Sequence, residues 1–392
     1  MNLPAGFSYS ALYAGIRKVK QDDLALIFST APAAAAAVFT RNRVQAAPVR
    51  LARKHLESSG GEAQAILVNA GNANCATRTG DRVVMACCQA AAKGLKVKTN
   101  RILPASTGVI GVELDPALIT GAMPRLIEGL SADRFDDVSR AILTTDTSAK
   151  TAFAEVAVKD GIVRIAGMTK GAGMIQPNMA TTLGFVLTDA AIPTLVLRPM
   201  LKKVVDLSFN RLSVDGDTST NDVVILLANG ASGCKLKAAD RQLFSEALQH
   251  LMQDLARQIA KDGEGARKRI TIEISGTADE ASASVIARAI ANSPLVKTAI
   301  AGSDPNWGRI LSAAGNSGVA FDPRKADIWL QDVKVCTSGL AADFSEPELK
   351  EKLNGDECVI RFNIRGGGPG RSRFWTCDLT EKYIEINASY RT

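Results

Sequence analysis

The stretch from residue 151 to 189 leaves this chain little conformational choice. Residues 151–158 and 162–167 are β-prone runs joined by Lys159-Asp160-Gly161. An Asp-Gly between such runs is a strong hairpin signal, because both central residues of a type I′ turn need φ > 0. The hairpin delivers the chain to Lys170-Gly171-Ala172-Gly173, whose glycines permit positive φ or close backbone approach, and then to the turn residues Pro177 and Asn178. Ala180-Thr181-Thr182 leads into Leu183-Gly184-Phe185-Val186-Leu187, a short apolar run ending at Asp189 that reads as a buried strand. A hydroxyl therefore stands where a polar loop becomes a fixed strand, with the small Ala180 before it.

Such a junction suits a chain that cuts itself. Attack of the Thr181 hydroxyl on the Ala180 carbonyl, an N-to-O acyl shift and hydrolysis would leave Thr181 as a new N-terminus. Its freed amine has a reference pKa of about 7.7–8.0, near the useful range for a general base, so one residue supplies nucleophile and base together. A loop entering a strand through Thr-Thr is also what β-propensity alone produces. The only histidines are His55, in a basic polar stretch, and His250, in a helical pattern. Neither has a neighbouring Ser or Asp that suggests a triad, so the base of an acyl-transfer enzyme here is not expected to be histidine.

Further along the chain stand Leu103-Pro104-Ala105-Ser106-Thr107-Gly108-Val109-Ile110-Gly111, Thr144-Thr145-Asp146-Thr147, the stretch 208–222 ending Asp215-Gly216-Asp217-Thr218-Ser219-Thr220-Asn221-Asp222, Asp262-Gly263-Glu264-Gly265-Ala266, residues 293–310 and the tail 378–392. With Lys170–Leu183, these blocks follow the order and spacing of one family. The chain resembles the ornithine acetyltransferases, the glutamate N-acetyltransferases of arginine biosynthesis, over nearly its whole length.

The resemblance implies an α/β (α+β) fold packed around a self-generated N-terminal nucleophile. It implies cleavage between Ala180 and Thr181 into an α chain, 1–180, and a β chain, 181–392, with a C-terminal subdomain from about residue 240. Thr181 would carry the acetyl group, Thr107 and Gly108 would form the oxyanion pair, and Thr144, Lys170, Glu264, Asn387 and Thr392 would contact substrate. Acetyl transfer from N-acetylornithine to glutamate by a ping-pong route follows, without cofactor or metal; acetyl-CoA stays open as a second donor. The fragments are expected to associate as a heterotetramer of two α and two β chains. The sequence departs from the family pattern at Thr182 (usually Met), Gly184 (usually Ala) and Ser389 (usually Asp). Thr182 raises a question of register for the cut, and the Ala-Thr order favours Thr181. A related self-cleaving hydrolase and a non-catalytic homologue are the alternatives.

Bulk properties narrow the rest. The 392 residues are 46% hydrophobic and 22% charged, enough to bury one large core or two moderate ones. The net charge of +7 comes without a dense basic helix, zinc-finger spacing or basic-aromatic interleaving, which argues against nucleic acid. No apolar run reaches the ~18–20 residues of a membrane span, and the first ten residues lack the order of an export signal. Seven scattered cysteines without a C-x-x-C read as reduced thiols in the cytoplasm.

Strands are expected at 24–29, 65–69, 271–275, 326–335, 358–364 and 373–378, and helices at 81–95, from 115–116, at 131–144 with Ser131 as N-cap, 193–209, 238–261, 279–291 and 345–353. Gly263 fits a C-cap. Asn69–Asn72 and onward to Asn74 reads as a polar turn, and 104–111 as either an oxyanion loop or an ordinary loop. Lys170 is either paired with a carboxylate or an ordinary solvated lysine, and Glu264 either a substrate contact or a solvated cap residue. The acidic loop 214–222 lacks the bidentate Glu of a calcium loop and reads as hydrogen-bonded structure near the pocket. The Arg- and Gly-rich stretch 361–373 can bind phosphate but reads as a hairpin tip.

Overall fold

The computed structural model describes residues 2–176 and 182–388. In chain order the first half forms β1 Phe7–Leu12, β2 Leu24–Phe39, α1 Ala47–Ser58, β3 Glu62–Asn72, α2 Gly80–Leu95, β4 Ile102–Val109, α3 Pro116–Glu128, α4 Phe135–Ala141, β5 Lys150–Val158 and β6 Gly161–Lys170. Then follow β7 Leu183–Thr188, α5 Thr194–Asp206, β8 Val223–Ala228 and α6 Ala238–Lys261. The remainder is β9 Arg269–Thr277, α7 Glu280–Ala291, α8 Pro294–Ala301, α9 Trp307–Gly315, β10 Ala326–Leu330, β11 Val333–Thr337, β12 Leu340–Ala341, α10 Glu346–Lys352, β13 Glu357–Ile364, β14 Gly370–Cys377 and α11 Glu381–Asn387.

Strands β1 to β8 make one mixed sheet in the order β4-β3-β2-β8-β7-β6-β5, with β1 paired to β2. The hairpin read from Asp160-Gly161 is β5–β6, in register from Lys150↔Thr169 to Val158↔Gly161. Every residue of β7 is buried, because both faces of the sheet are covered. Val186, Val224 and Leu226 pack with α5 and α6, while Leu183, Phe185, Leu187 and Ile225 pack with Tyr9 and α4 on the other face. Strand β7 lies between β6, antiparallel with Lys170↔Leu183, and β8, parallel with Leu183↔Val223. Strands before and after residues 180–181 thus share one hydrogen-bonded sheet. Each large apolar side chain buried on β7 contributes roughly 1.5–3 kcal/mol, which would hold the two parts together after a cut. Helix α6 packs in the same core as β5 and β6. The second sheet, β12-β11-β10-β13-β9-β14, begins at Arg269 and shares a core with α7 to α10.

Several local expectations are corrected. The stretch 104–111 is not a loop: most of it is β4, parallel to β3, and the Asn-rich stretch before Ala73 is the end of β3 rather than a turn. The helix expected at 131–144 is only α4; Ser131 instead exchanges backbone hydrogen bonds with Tyr9, at 2.8 and 3.0 Å, and β1 outbids the helix. Gly263 is not a left-handed cap. The chain leaves α6 through Asp262 at φ −97°, and Gly263 is a glycine because a Cβ would meet the Cys377 sulfur at 2.7 Å. The strand expected at 326–335 is a hairpin, β10–β11, turning where Gln331 takes φ +52°. The Arg/Gly stretch is not a hairpin tip either. β13 and β14 each pair with β9, one on each side, so the Gly-rich link crosses the end of β9, where a Cβ on Gly367 would sit 1.7 Å from the Gly276 oxygen.

Candidate active site

Most of the motif blocks scattered along the sequence contribute to one cleft of about 250 Å³, lined by Thr107 and Gly108, Thr144, Lys170, Gly171 and Gly173, Thr182, Asp215, Asn221 and Asp222, Glu264, Tyr383 and Asn387. It opens at the ends of β4 and β6 and the start of β7. Ala180, Thr181, Ser389 and Thr392 lie outside the described residues.

Thr107 and Gly108 end β4, opposite Ala70 and Gly71 of β3. Gly108 has φ +127°, and a Cβ there would sit 2.3 Å from the Gly71 carbonyl carbon, so only glycine lets the strands close. Gly108→Ala is therefore expected to destabilise the chain by more than about 1 kcal/mol, read as a lower urea midpoint. The Asn221 amide fixes this corner, donating to the Ser106 carbonyl (2.8 Å) and the Ala73 carbonyl (2.6 Å).

Lys170 is buried, which removes the solvated-lysine reading. Its ammonium donates to Thr144 Oγ1 at 2.7 Å and stands 3.7 Å from Asp146. Asp146 in turn accepts from Lys150 Nζ at 2.7 Å, from the Gly171 amide at 2.6 Å and from the Thr144 amide at 3.0 Å. Burial alone would raise this carboxyl, but the Lys170 and Lys150 ammoniums outweigh it and hold Asp146 well below the usual carboxylate range. Lys150, 1% exposed, also reaches Asp262 at 2.5 Å. One buried lysine thus joins the Thr144–Asp146 loop to the end of α6, two residues before Glu264.

Glu264 is buried rather than solvated. It accepts from Asn387 Nδ2 at 2.7 Å, and its amide donates to the Ala172 carbonyl at 2.8 Å. Gly173 lets the carboxylate lie against the loop: a Cβ there would sit 2.4 Å from the Glu264 carboxyl carbon. Asp215 accepts from the amides of Met174 (2.6 Å) and Ile175 (2.9 Å), and Thr218 donates to the Gln176 carbonyl. The acidic loop is thus structural, as its composition indicates, and holds residues 174–176 in place. No group of three His, Cys, Asp or Glu fit to hold a metal occurs among the described residues.

Thr182 is held at the mouth of β7. Its hydroxyl is buried, donates to the Lys170 carbonyl, and lies 2.9 Å from Thr169 Oγ1. A hydroxyl committed in this way anchors the start of the strand. No histidine lines the cleft among the described residues. His55 is buried with Nδ1 2.7 Å from the Ile102 oxygen, and burial lowers its pKa; His250 is exposed on α6.

A sequence model of the ArgJ family matches residues 8–392. The chain belongs to the ArgJ family. Its relatives include the arginine biosynthesis bifunctional protein ArgJ of Chlorobaculum tepidum, 42% identical over 99% of this chain and 96% of that one. The protein of the same name from Chlorobium chlorochromatii is 45% identical over 99% and 91%. A crystal structure of the Bacillus halodurans ArgJ is 41% identical with a TM-score of 0.50, covering 52% of this chain and 96% of that chain. Asp215, Asn221 and Asp222 line the cleft, and Asp146 and Lys150 stand behind its Lys170; the sequence reading placed the 214–222 loop near the pocket but gave none of these five a role of its own. The Thr-Thr-Asp-Thr block pointed to Asp146, but nothing local marks Lys150 as anything but the first residue of a strand.

A second, larger cleft of about 910 Å³ lies over β9, β13 and β14 and collects Arg211, Arg361, Arg365, Arg371 and Arg373. Most of these guanidiniums are already occupied: Arg211 pairs with Glu280 at 2.6 Å, and Arg361 and Arg373 share Glu273. Of the motif blocks, only 208–222 reaches it among the described residues, through Arg211. Among the described residues no helix is long and apolar enough to cross a membrane.

Proposed function

We infer that this chain is an arginine-biosynthesis acetyltransferase that moves the acetyl group of N-acetylornithine to glutamate after cutting itself before Thr181. The observation that carries this reading is the convergence of Thr107-Gly108, Thr144, Lys170, Glu264 and Asn387 at one cleft beside the start of β7. The length of the Bacillus halodurans chain supports the cut. It corresponds to 52% of this chain while being matched over 96% of itself, about half the length of the curated relatives.

Thr181 Oγ attacks the acetyl carbonyl and its amine takes the proton. The amides of Thr107 and Gly108 receive the developing oxyanion. Ornithine departs, an acetyl-threonine is left, and glutamate takes the acetyl group by the reverse steps. Lys170 offers a cation to the α-carboxylate common to both amino acids. Glu264, oriented by Asn387, offers an anion to the amino end. The chemistry requires no cofactor, and acetyl-CoA is an alternative donor to the same threonine. Seven free, buried cysteines support a reducing compartment such as the cytoplasm. The two fragments, 1–180 and 181–392, stay interlocked through β6–β7–β8. Two such protomers are expected to pair, giving a particle of twice 41.4 kDa by light scattering.

Purified protein given acetylornithine and varied glutamate should give parallel double-reciprocal lines. Acetate release indifferent to glutamate would establish a hydrolase instead, and acetyl-CoA in place of acetylornithine tests the second donor. Deleting residues 387–392 removes Asn387 from Glu264 and should cut kcat/KM by at least about tenfold, the worth of one charge-assisted hydrogen bond, while the thermal midpoint moves little. Unchanged turnover would refute the assignment of the tail.

A further inference from the structure

One acid at the cleft has no role in the scheme above. Asp222 is 3% exposed and lines the cleft, and its Oδ2 has no hydrogen-bond partner among the described residues. Its backbone is pinned on both sides: the Thr40 amide donates to the Asp222 carbonyl at 2.9 Å, and the next residue, Val223, donates its amide to the Thr182 carbonyl at 2.9 Å. Among the described residues Ser219 hydrogen-bonds the carboxyl, and the cation acting on it is Lys170. A buried carboxyl oxygen left without a partner costs free energy, so its retention beside a reaction centre calls for a use.

Register supplies the place. Strands β7 and β8 run parallel with Leu183 opposite Val223, so Asp222 stands beside Thr182 at the mouth of the strand pair. The peptide bond that the proposed cleavage breaks is one residue upstream of Thr182. Neighbouring Cα atoms are about 3.8 Å apart along a chain, and neighbouring strands about 4.8 Å apart. At these spacings a carboxyl on this strand end can reach the residue covalently joined to Thr182. Of the other ionisable groups of the cleft, Lys170 is held by Thr144 and Asp146, Glu264 by Asn387, Asp215 by three backbone amides and Tyr383 by Asp215, while Asp217 is exposed to solvent.

We propose that Asp222 is the proton-transfer residue of the self-cleavage. In the first step the Thr181 Oγ–C bond to the Ala180 carbonyl forms as the C–N bond breaks. The Asp222 carboxyl gives its proton to the departing nitrogen and is reprotonated by the proton leaving Oγ. Water then adds to the ester, freeing the Ala180 carboxylate and the Thr181 hydroxyl. Burial raises the Asp222 carboxyl well above its ordinary value, with Ser219 and Lys170 only partly opposing this, so it holds the proton it must donate. A neutral acid also places no anion beside the new amine, which would otherwise be held as the ammonium and lost as a base.

The inference rests on the cleavage reading, and the experiment separates the two. Wild-type protein, Asp222→Asn and Asp222→Ala are purified, and cutting is followed by intact mass with far-UV circular dichroism and thermal midpoint. Wild-type should arrive as two pieces; a wild-type chain that stays whole refutes cleavage itself. Asp222→Asn keeps the shape but has no acid proton, and should be folded and cut at least 100-fold more slowly. Asp222→Ala removes the unpartnered atom, folds if Asn does not, and should be equally slow. Hydroxylamine, which splits an ester, should leave both variants whole, because the block precedes ester formation. Wild-type cutting in either folded variant, or rapid cutting of both by hydroxylamine, overturns the role of Asp222 while leaving Thr181 as nucleophile.

Discussion

Thr181→Ala is expected to be recovered as one uncut chain and to lose acetyl transfer by on the order of 10⁴–10⁶-fold, the usual cost of deleting a covalent nucleophile. Both effects come from one atom. Without Oγ there is nothing to attack the Ala180 carbonyl, and without the cut there is no free amine to act as base. Intact mass reads the first and a glutamate-dependent assay the second. A variant recovered as two pieces and still moving acetyl groups at the normal rate would end the account. Thr182→Ala is the matching control. Its hydroxyl holds the Lys170 carbonyl and meets Thr169, so its removal should cost about 1–2 kcal/mol of stability and leave the cut before residue 181, as N-terminal sequencing would show.

The parts of this molecule that were legible in the sequence are those whose signal is local. Asp160-Gly161 fixes the β5–β6 hairpin by turn geometry alone, and the apolar run after Thr182 is β7 because six consecutive buried positions need no partner to be recognised. Helix α6 reads correctly from 238 to 261 because its periodicity runs over many turns. The errors arise where a distant strand decides. Residues 104–109 look like a Gly- and Ser-rich loop until β3 lies beside them. Ser131 looks like an N-cap until Tyr9 takes its backbone. The 365–370 link looks like a hairpin tip because no local feature announces that β9 will slot between its two arms. The same division holds at the site. Thr107, Gly108, Lys170, Glu264 and Asn387, which line the cleft, stand in recognisable motifs. Lys150 and Asp222 owe their importance to burial and to what faces them, which composition does not encode.

Asp146→Asn carries the second large effect, and its cost in stability depends on pH. The Asp146 side chain is fully buried between Lys150 and Lys170, and its oxygens also hold the amides of Thr144 and Gly171. Asparagine keeps the shape but leaves Lys150 with Asp262 and leaves Lys170 without an ion-pair partner within 4 Å among the described residues. Breaking one partner of a buried ion pair costs about 3–5 kcal/mol, because the charge left behind is desolvated and unpaired. The same change frees Lys170 and Thr144 from their common anchor, so kcat/KM should fall along with the urea midpoint. The sign of the pH dependence follows from linkage. The folded carboxyl is held below the usual range, whereas the unfolded one titrates near 3.9. As pH drops through that value the unfolded chain takes up the proton first, so the stabilisation is complete above it and is lost progressively below it. Wild-type stability should therefore fall steeply from about pH 4 downward, and the difference between wild type and Asp146→Asn should shrink over the same interval. If the two unfolding curves instead stay parallel from pH 6 to pH 3, the Lys150–Asp146–Lys170 cluster is not what holds the two sides of the cleft together.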